Sequence, residues 1–301
     1  MRYIPHRGIA CSLKKGWISM GEACGSCSAA GTCTTGSCST EPELTEAQKA
    51  SHIGKVIAVM SGKGGVGKSS VTGMLAVSLM RQGYKVGILD ADVTGPSIPK
   101  IFGVTEKANV NNVGVIVPET RNGIKIMSLN LMLENEDDPV IWRGSIITQL
   151  IQQFWKDVVW GELDYLLIDM PPGTGDVPIT VFQTMPIAGV VIVSSPQQLA
   201  GMIVRKAIKM VRRYEATIYG LVENMAYVSC PDCDHRIEVF GKPKGEEEAQ
   251  DSEIPYLGQL PLDPVLSSLS DLGKIEDYQS ENFDKIAERL TEEIKKAEEK
   301  K

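Results

Sequence analysis

The strongest indication of the fold class of this chain is the segment Gly62-Lys63-Gly64-Gly65-Val66-Gly67-Lys68-Ser69. An apolar run at 56–60 precedes the segment and predicts a buried strand, and a helical pattern at 68–82 follows it. Glycines allow consecutive backbone N–H groups to face phosphate oxygens without a clash, and the amino terminus of the helix adds positive potential. The strand, the loop and the helix together predict a phosphate-binding loop that holds ATP.

Side chains of this loop supply further contacts that a nucleotide with Mg²⁺ needs. Lys68 can reach the β- and γ-phosphates, and the Ser69 hydroxyl can ligate Mg²⁺. A simple phosphate loop does not require the lysine at position 63, and a solvated surface lysine is the alternative interpretation. The nucleotide contacts predicted in this region are Gly62, Lys63, Gly64, Gly65, Val66, Gly67, Lys68, Ser69 and Ser70.

Apolar runs alternate with amphipathic stretches along the rest of the chain. Strands are predicted at 56–60, 86–89, 125–129, 165–168, 190–193 and 219–222, and helices at 68–82, 145–159, 198–213 and 282–300. This alternation predicts an α/β fold with a doubly wound, mostly parallel sheet, whose ligands bind at the carboxyl ends of the strands. A small hairpin is expected at 109–120 and a mobile loop at 241–251.

Carboxylates end two of the predicted strands and complete the nucleotide site. Asp92 is expected to orient or activate the attacking water, and Asp90 to support it or the Mg²⁺ shell, although a cap at the strand end is an alternative for either residue. Asp169 follows an apolar strand and is expected to hold Mg²⁺, usually through water. Pro172 and Gly173 follow in a turn where the backbone can approach the γ-phosphate.

Two later positions are candidates for contacts with the base. Asn224 follows a predicted strand and can hydrogen-bond an adenine edge, and Pro261 lies in a segment that can wall the base. The Asn-Lys-x-Asp pattern of guanine-specific GTPases is absent from the sequence. The predicted nucleotide is therefore ATP rather than GTP.

The composition of the chain argues against two classes of binding partner, nucleic acids and membranes. The 301 residues carry a net charge of −7 with a pI of about 5.2, so a general nucleic-acid-binding role is not expected. No apolar run reaches the about 18 residues that a membrane span needs, and the first twenty residues lack the apolar core of a secretory signal. The expected compartment is the cytoplasm, with no membrane partner.

The seven cysteines fall into two groups, and in a reducing compartment such groups indicate metal ligation more than disulfides. Cys230 and Cys233 form a Cys-x-x-Cys pair. The alternatives for this pair are an iron–sulfur cluster, zinc bound by four thiolates across a dimer or with His235 as a third ligand from one chain, a redox pair and a structural pair. The other five precede position 40: Cys11, Cys24, Cys27, Cys33 and Cys38.

These motifs predict three regions along the chain. Residues 1–40 form a cysteine-rich segment in which four thiolates are expected to bind a metal centre; an iron–sulfur cluster, zinc and a reactive tail are the alternatives. Residues 41–52 read as a polar linker. Residues 53–301 form the nucleotide-binding domain that also contains the Cys-x-x-Cys pair.

Four stretches carry a family likeness: GKGGVGKSS at 62–70, LDADVTGPSIP at 89–99, DYLLIDMPPGTGD at 164–176 and ENMAYVSCPDCDHRIEVFG at 223–241. Together they resemble the Mrp/ApbC branch of the MinD-like ATPases, which are iron–sulfur cluster scaffolds or carriers. The likeness covers about residues 52–295. It implies a deviant P-loop ATPase of the MinD and nitrogenase-iron-protein class.

The resemblance also implies a homodimer in which subunits share their sites. Lys63 would reach across the interface and neutralise charge at the partner's nucleotide during hydrolysis. Cys230 and Cys233 of each subunit would bridge one [4Fe-4S] cluster, because a cubane needs four thiolates and one pair supplies two. The catalytic residues implied in this way are Lys63, Asp92 and Asp169.

The amino-terminal spacing resembles the cluster motif of the eukaryotic-type scaffolds in this family. It implies a second [4Fe-4S] centre on four of the five thiolates, with these as the first choice: Cys11, Cys24, Cys27 and Cys33. The first interval is one residue shorter than in that motif, and Cys38 is an additional thiol.

The leading hypothesis is therefore an ATPase whose slow hydrolysis gates the loading of a cluster and its delivery to apoproteins. One rival is a MinD- or ParA-like positioning ATPase, which needs a basic DNA-facing surface or a membrane-binding tail. Another is a zinc-bridged ATPase chaperone, which needs a large apolar groove. The acidic balance and the charged final helix at 282–300 speak against the first rival.

Overall fold

The computed structural model describes residues 44–92, 95, 97–133, 144–197, 200–230, 232–233 and 235–300. All five amino-terminal cysteines and the predicted metal-binding segment 1–40 lie outside the described residues. The compact unit that carries the predicted nucleotide site begins at Thr45.

A parallel sheet of seven strands forms the centre of this unit. The described strands are, in chain order, β1 (His52–Ser61), β2 (Val86–Asp90), β3 (Asn109–Val110), β4 (Val115–Ile116), β5 (Lys125–Met127), β6 (Val158–Val159), β7 (Glu162–Asp169), β8 (Ile187–Ser194), β9 (Ile218–Glu223), β10 (Val228–Ser229), β11 (Arg236–Ile237) and β12 (Tyr256–Gln259). The central sheet has the order β12-β9-β8-β1-β7-β2-β5, and all its neighbouring pairs are parallel.

Helices connect these strands on both faces of the sheet. The described α-helices are α1 (Glu46–Lys49), α2 (Lys68–Arg81), α3 (Ile98–Phe102), α4 (Gly144–Asp157), α5 (Asp176–Thr184), α6 (Ala200–Arg213), α7 (Gly245–Asp251), α8 (Pro264–Asp271) and α9 (Glu281–Glu299). Short 3₁₀ turns occur at Leu129–Leu131 and Ile275–Asp277.

Alternation along the strands divides the interior into two cores. Ile57 and Val59 of β1 pack into the core that includes α2, α3 and α9. Val56, Ala58 and Met60 face the opposite side, where residues of α4, α5 and α6 pack. Successive side chains of a strand point to opposite faces, so the continuous apolar run of β1 serves both layers. The predicted doubly wound α/β fold is confirmed.

The register of the parallel strands positions the site. Asp169, the last residue of β7, lies opposite Val59 of β1 and opposite Asp90, the last residue of β2. The chain after β1 is the glycine-rich segment, which leads directly into α2. The carboxyl ends of these strands therefore meet at one edge of the sheet, as the sequence predicts.

All six predicted strands have counterparts in the sheet, and the four predicted helices correspond to α2, α4, α6 and α9. The expected hairpin at 109–120 is confirmed as the antiparallel pair of β3 and β4, which β6 extends. Edge strand β12 and helices α3, α5 and α8 were not predicted, because each is at most nine residues long and has little periodicity to detect.

The prediction of a loop over 241–251 was wrong for its second half. Gly245–Asp251 forms helix α7. Its Ala249 is buried in the sheet-facing core, and the backbone N–H of Lys244 donates to the Glu223 carboxylate at 2.9 Å. The run of glutamates that suggested a solvated loop occupies the first turn of the helix, where negative charge is favourable.

The beginning of the compact unit is more ordered than the predicted linker suggests. Helix α1 and the first residue of β1 lie within the range predicted as a linker, and Ala47 of α1 is buried. Within the described part of the chain, no helix combines the length and the apolar character that crossing a membrane requires.

Because β7 is buried on both faces, shortening a side chain at its centre should strongly lower the stability of the fold. Leu167→Ala should lower the free energy of unfolding by about 2–5 kcal/mol, because the side chain is fully buried and the substitution leaves a cavity. Chemical denaturation measures this value. Leu272→Ala is the matched control, since that leucine is 68% exposed, and a comparable loss there would contradict the assigned core.

Candidate nucleotide site and cysteine hairpin

The glycine-rich segment forms the turn between β1 and α2. Gly65 and Gly67 have φ angles of +81° and +74°, a left-handed conformation that residues with a Cβ rarely adopt. Gly67 is also crowded, because a Cβ at this position would collide with the Asn224 amide and lie 3.2 Å from Cε of Met225. Helix α2 begins at the next residue, so its amino terminus points into the loop.

The loop lines a cleft of about 210 Å³ at the carboxyl edge of the sheet. Its lining residues are Ser61, Gly64, Gly65, Val66, Gly67, Lys68, Ser69, Ser70, Asp92 and Pro172. The structure therefore brings most of the predicted loop contacts together with Asp92 and Pro172. Gly62 and Lys63 belong to the same turn but are not part of the lining.

Asp169 is the centre of a buried hydrogen-bond cluster beneath this cleft. Its carboxylate accepts from Lys68 Nζ at 2.6 Å, from Ser69 Oγ at 2.6 Å and from Thr72 Oγ1 at 2.8 Å. Asp169 is fully buried, and Lys68 is only 6% exposed. The cluster ties the end of β7 to the first turn of α2, where the phosphate loop ends.

The donor set of this cluster fits Mg²⁺. The Ser69 hydroxyl and the Asp169 carboxylate are hard oxygen donors, and they already lie 2.6 Å apart at the base of the cleft. Lys68 beside them can balance the charge of phosphate groups. The two residues predicted to hold the metal are thus brought together, and their role as ligands stays a prediction.

Asp90 lies beside Asp169 and is held by the chain that follows β2. Its carboxylate accepts from the backbone N–H groups of Asp92, Ser97 and Ile98 at 3.1, 3.1 and 3.2 Å. Burial raises the pKa of Asp90 to about 8, and the neighbouring charge of Asp169 adds to this rise. The backbone donors and Lys68 act in the opposite direction. Asp90 therefore shapes the loop that carries Asp92.

The turn after β7 closes the other wall of the cleft. Gly173 has a φ of +87°, and its backbone N–H donates to the carbonyl of Ser61 at 2.9 Å. Cγ of Pro172 would lie 3.8 Å from a Cβ on Gly64. These contacts join the turn to the phosphate loop, and the approach of the Gly173 backbone to a γ-phosphate stays a prediction.

Lys63 takes part in a contact that the sequence did not predict. Its ammonium group donates to the side-chain oxygen of Gln197, just beyond the end of β8. The backbone carbonyl of Lys63 accepts from Ser61 Oγ at 3.0 Å. Within one chain, Lys63 is thus directed to β8 rather than to the cleft between the loop and Asp92.

Asn224 directly follows β9 and contacts the phosphate loop. Its Nδ2 donates to the carbonyl of Val66 at 2.9 Å, and its side chain is buried. Pro261 lies two residues beyond β12, next to a strand-like contact in which Ala226 N–H donates to Leu260 at 2.9 Å. The contact of Asn224 with the loop is a finding, whereas recognition of adenine by Asn224 and Pro261 stays a prediction.

The Cys-x-x-Cys pair lies at the tip of the hairpin made by β10 and β11. The backbone N–H of Cys230 donates to the His235 carbonyl at 2.9 Å, which closes the turn. Cys230 is half-buried and Cys233 is exposed. At the base, the Arg236 guanidinium lies over the Tyr227 ring, 4.3 Å from its centroid.

The described residues of this hairpin include two thiols, those of Cys230 and Cys233. Among the described residues, no three His, Cys, Asp or Glu side chains are grouped closely enough to hold a metal ion. His235 is therefore not gathered with the two cysteines, as zinc held by three ligands of one chain would require. The cysteines predicted at the amino terminus lie outside the described residues.

Sequence patterns missed several residues that shape the site. Thr72 lies one helical turn after Lys68 and bonds Asp169, and this spacing of four residues is a signal that could have identified it. Gln197, the partner of Lys63, and Ser128, which donates to Asp90 at 3.4 Å, have no comparable signal. Their contacts depend on how distant strands are placed.

A glycine-rich loop between a strand and a helix of a parallel sheet, with an acidic residue on the neighbouring strand, defines a P-loop NTPase. The family model described as ParA, NUBPL iron-transfer P-loop NTPase, matches residues 52–295, and the chain belongs to this family. The likeness to MinD-like ATPases that the four motifs predict is confirmed at the level of family and fold.

Relatives agree with this assignment. An iron–sulfur cluster carrier protein of Clostridium perfringens is 46% identical over 272 residues, which cover 86% of this chain and 95% of the relative. A nucleotide-binding protein of Archaeoglobus fulgidus, solved with ADP, is 48% identical, with a TM-score of 0.69 and coverage of 77% and 91%. MinD of Pyrococcus furiosus, at 22% identity, a TM-score of 0.57 and coverage of 81% and 99%, shares the fold.

The crowding at Gly67 predicts a specific loss on substitution. Gly67→Ala should abolish nucleotide binding and lower the free energy of unfolding. An alanine in the left-handed conformation costs about 1–2 kcal/mol, and the loss at Gly67 should be larger because the new Cβ collides with Asn224. Gly83→Ala is the matched control, with a φ of +93° and no atom near its Cβ. Titration with a fluorescent ATP analogue and thermal unfolding measure both effects. Equal behaviour of the two variants would contradict the proposed crowding.

Proposed function

We propose that this chain binds ATP with Mg²⁺, hydrolyses it slowly and carries [4Fe-4S] clusters that it delivers to apoproteins. The observation that supports this most is the presence of a nucleotide cleft and a cysteine hairpin at the same edge of one sheet. Asn224, the first residue after β9, contacts the phosphate loop, and the hairpin begins at Val228, four residues further along the chain. The name of the Clostridium relative, an iron–sulfur cluster carrier protein, supports the nature of the cargo.

The residues of the cleft have separate roles in the proposed hydrolysis. Backbone N–H groups of the loop and the Lys68 ammonium bind the phosphates, while Ser69 and Asp169 hold the metal that neutralises developing charge. Asp92 lines the cleft next to the loop and orients the attacking water. Asp90 accepts the backbone N–H of Asp92 and thereby positions it.

The cluster is cargo, and a second copy of the chain completes its ligands. Each chain offers the thiolates of Cys230 and Cys233, and a cubane needs four. A two-fold axis through the hairpins supplies them with identical contacts on both sides. In that dimer, Lys63 would leave Gln197 and reach the nucleotide of the second copy, as the resemblance implies. A second centre on Cys11, Cys24, Cys27 and Cys33 remains a prediction from sequence alone.

The positioning ATPase is less well supported. At 22% identity, the similarity to MinD of Pyrococcus furiosus supports a shared fold but does not support a shared role. The net charge of −7 does not suit DNA, and the apolar residues of α9 are buried in the core: Phe283, Ile286, Leu290 and Ile294. The proposed compartment is the cytoplasm, where thiols remain reduced.

Iron analysis tests the cargo. Anaerobic reconstitution of the full chain with iron and sulfide, followed by Mössbauer spectroscopy, should give a [4Fe-4S] signal. Cys230→Ala with Cys233→Ala should remove about two iron atoms per chain, half of a bridging cubane, together with cluster-dependent dimerisation in light scattering. Ser229→Ala, an exposed neighbour, is the control. Unchanged iron content in the double variant would refute the bridging site.

Nucleotide kinetics test the cleft. Lys68→Ala should abolish nucleotide binding, because it removes the phosphate contact and leaves Asp169 buried without its cation. Asp92→Ala should retain binding and lower the hydrolysis rate by about 100-fold or more, since the proposed role of Asp92 is to orient the attacking water. Binding and turnover are measured with the same ATP preparation. An equal loss of binding in both variants would overturn the role of Asp92.

A further inference from the structure

The contact between Asn224 and the phosphate loop orients a peptide group. Asn224 Nδ2 donates to the carbonyl of Val66, and Val66 is followed by Gly67. Because a trans peptide is planar, the N–H of Gly67 points away from Asn224. Gly67 also lines the cleft in which phosphate is proposed to bind. A phosphate oxygen and Asn224 would therefore polarise the same peptide from opposite ends.

The residue after Asn224 has an unusual backbone. Met225 has a φ of +58°, in the left-handed region that is unfavourable for an L-residue with a long side chain. The backbone N–H of Asn224 donates to Ser194 at 2.8 Å, so the end of β9 is held on one side of Met225. On the other side, Ala226 N–H donates to Leu260 at 2.9 Å. The chain is thus strained between two anchored residues.

The same path continues to the cysteine hairpin. The carbonyl of Tyr227 accepts from Leu262 N–H at 2.7 Å, and the Tyr227 ring packs beneath Arg236 of β11. Val228 and Ser229 then pair with β11, and Cys230 follows directly. Four residues therefore lie between Met225 and the first thiol, and hydrogen bonds or packing hold most of them.

We infer that Asn224 and Met225 form a coupling hinge through which the phosphate loop controls the position of the Cys230–Cys233 hairpin. This inference rests on the proposed function, because it assigns a regulatory route between its two sites. Phosphate binding fixes the Val66–Gly67 peptide, strengthens its bond to Asn224 and holds Met225 in its left-handed state. Release of the phosphate weakens this bond and lets Met225 relax, which loosens the hairpin.

Hydrogen–deuterium exchange of the metal-free full chain tests the hinge without a cluster. The readout is the exchange rate in peptides that cover residues 226–237, with and without a saturating, non-hydrolysable ATP analogue and Mg²⁺. In the wild type, the nucleotide should slow this exchange by about fivefold or more, the lower end of typical coupling between sites. In Asn224→Ala and Met225→Gly, the nucleotide should slow this exchange by less than about twofold. Each substitution removes one element of the proposed hinge, so phosphate binding at the loop should no longer affect the hairpin.

A matched substitution separates coupling from relief of strain. Glu215 has a similar left-handed φ of +55° but precedes β9 at the opposite end of the strand. Glu215→Gly should therefore keep the wild-type response. Met225→Gly should still bind the analogue, because it leaves the phosphate-loop residues and the bond from Asn224 to Val66 in place, and this is measured in parallel by titration.

Each outcome decides the question. A wild-type response in Met225→Gly, or no response in the wild type itself, would overturn the hinge. Loss of the response in Glu215→Gly would also overturn it, because the effect would then be general. Since no iron is present, these results are independent of whether reconstituted protein holds a [4Fe-4S] cluster, which is the test of the proposed function.

Discussion

The buried ion pair between Lys68 and Asp169 is the contact on which the nucleotide site depends. Removing two charges from water costs several kcal/mol per ion, and only close contact and further hydrogen bonds offset this. Here Nζ and Oδ1 are 2.6 Å apart, and Ser69 and Thr72 donate to the same carboxylate. The cluster fixes the first turn of α2 against the end of β7, and thereby holds the glycine-rich loop over the carboxyl edge of the sheet.

The parallel sheet brings groups of like charge together at this edge. β2 and β7 end in Asp90 and Asp169, which are partners in the strand register. Burial and this proximity raise the pKa of Asp90, which is the electrostatic consequence of placing two carboxylates in one dry site. Such an arrangement suits a site where a divalent cation and a polyanion bind together, because each added charge has a nearby partner of opposite sign.

The sheet also explains how the phosphate loop and the cysteine hairpin can belong to one compact unit. The phosphate loop follows β1, and the cysteine hairpin follows β9, two strands away in the same sheet. Asn224, which directly follows β9, links the two by donating a hydrogen bond to the Val66 carbonyl. A small change at the loop can therefore reach the hairpin while both cores remain packed.

Local patterns in the sequence were sufficient to predict the phosphate loop, the six main strands, the doubly wound sheet and the family. Glycine spacing and hydrophobic periodicity are short-range signals, and β1 and α2 are long enough to carry them. Tertiary structure alone decided the contact of Asn224 with Val66, the direction of Lys63 toward Gln197, and helix α7. The residues in the first contact are 158 positions apart, and their meeting depends on strand order, which no local pattern encodes.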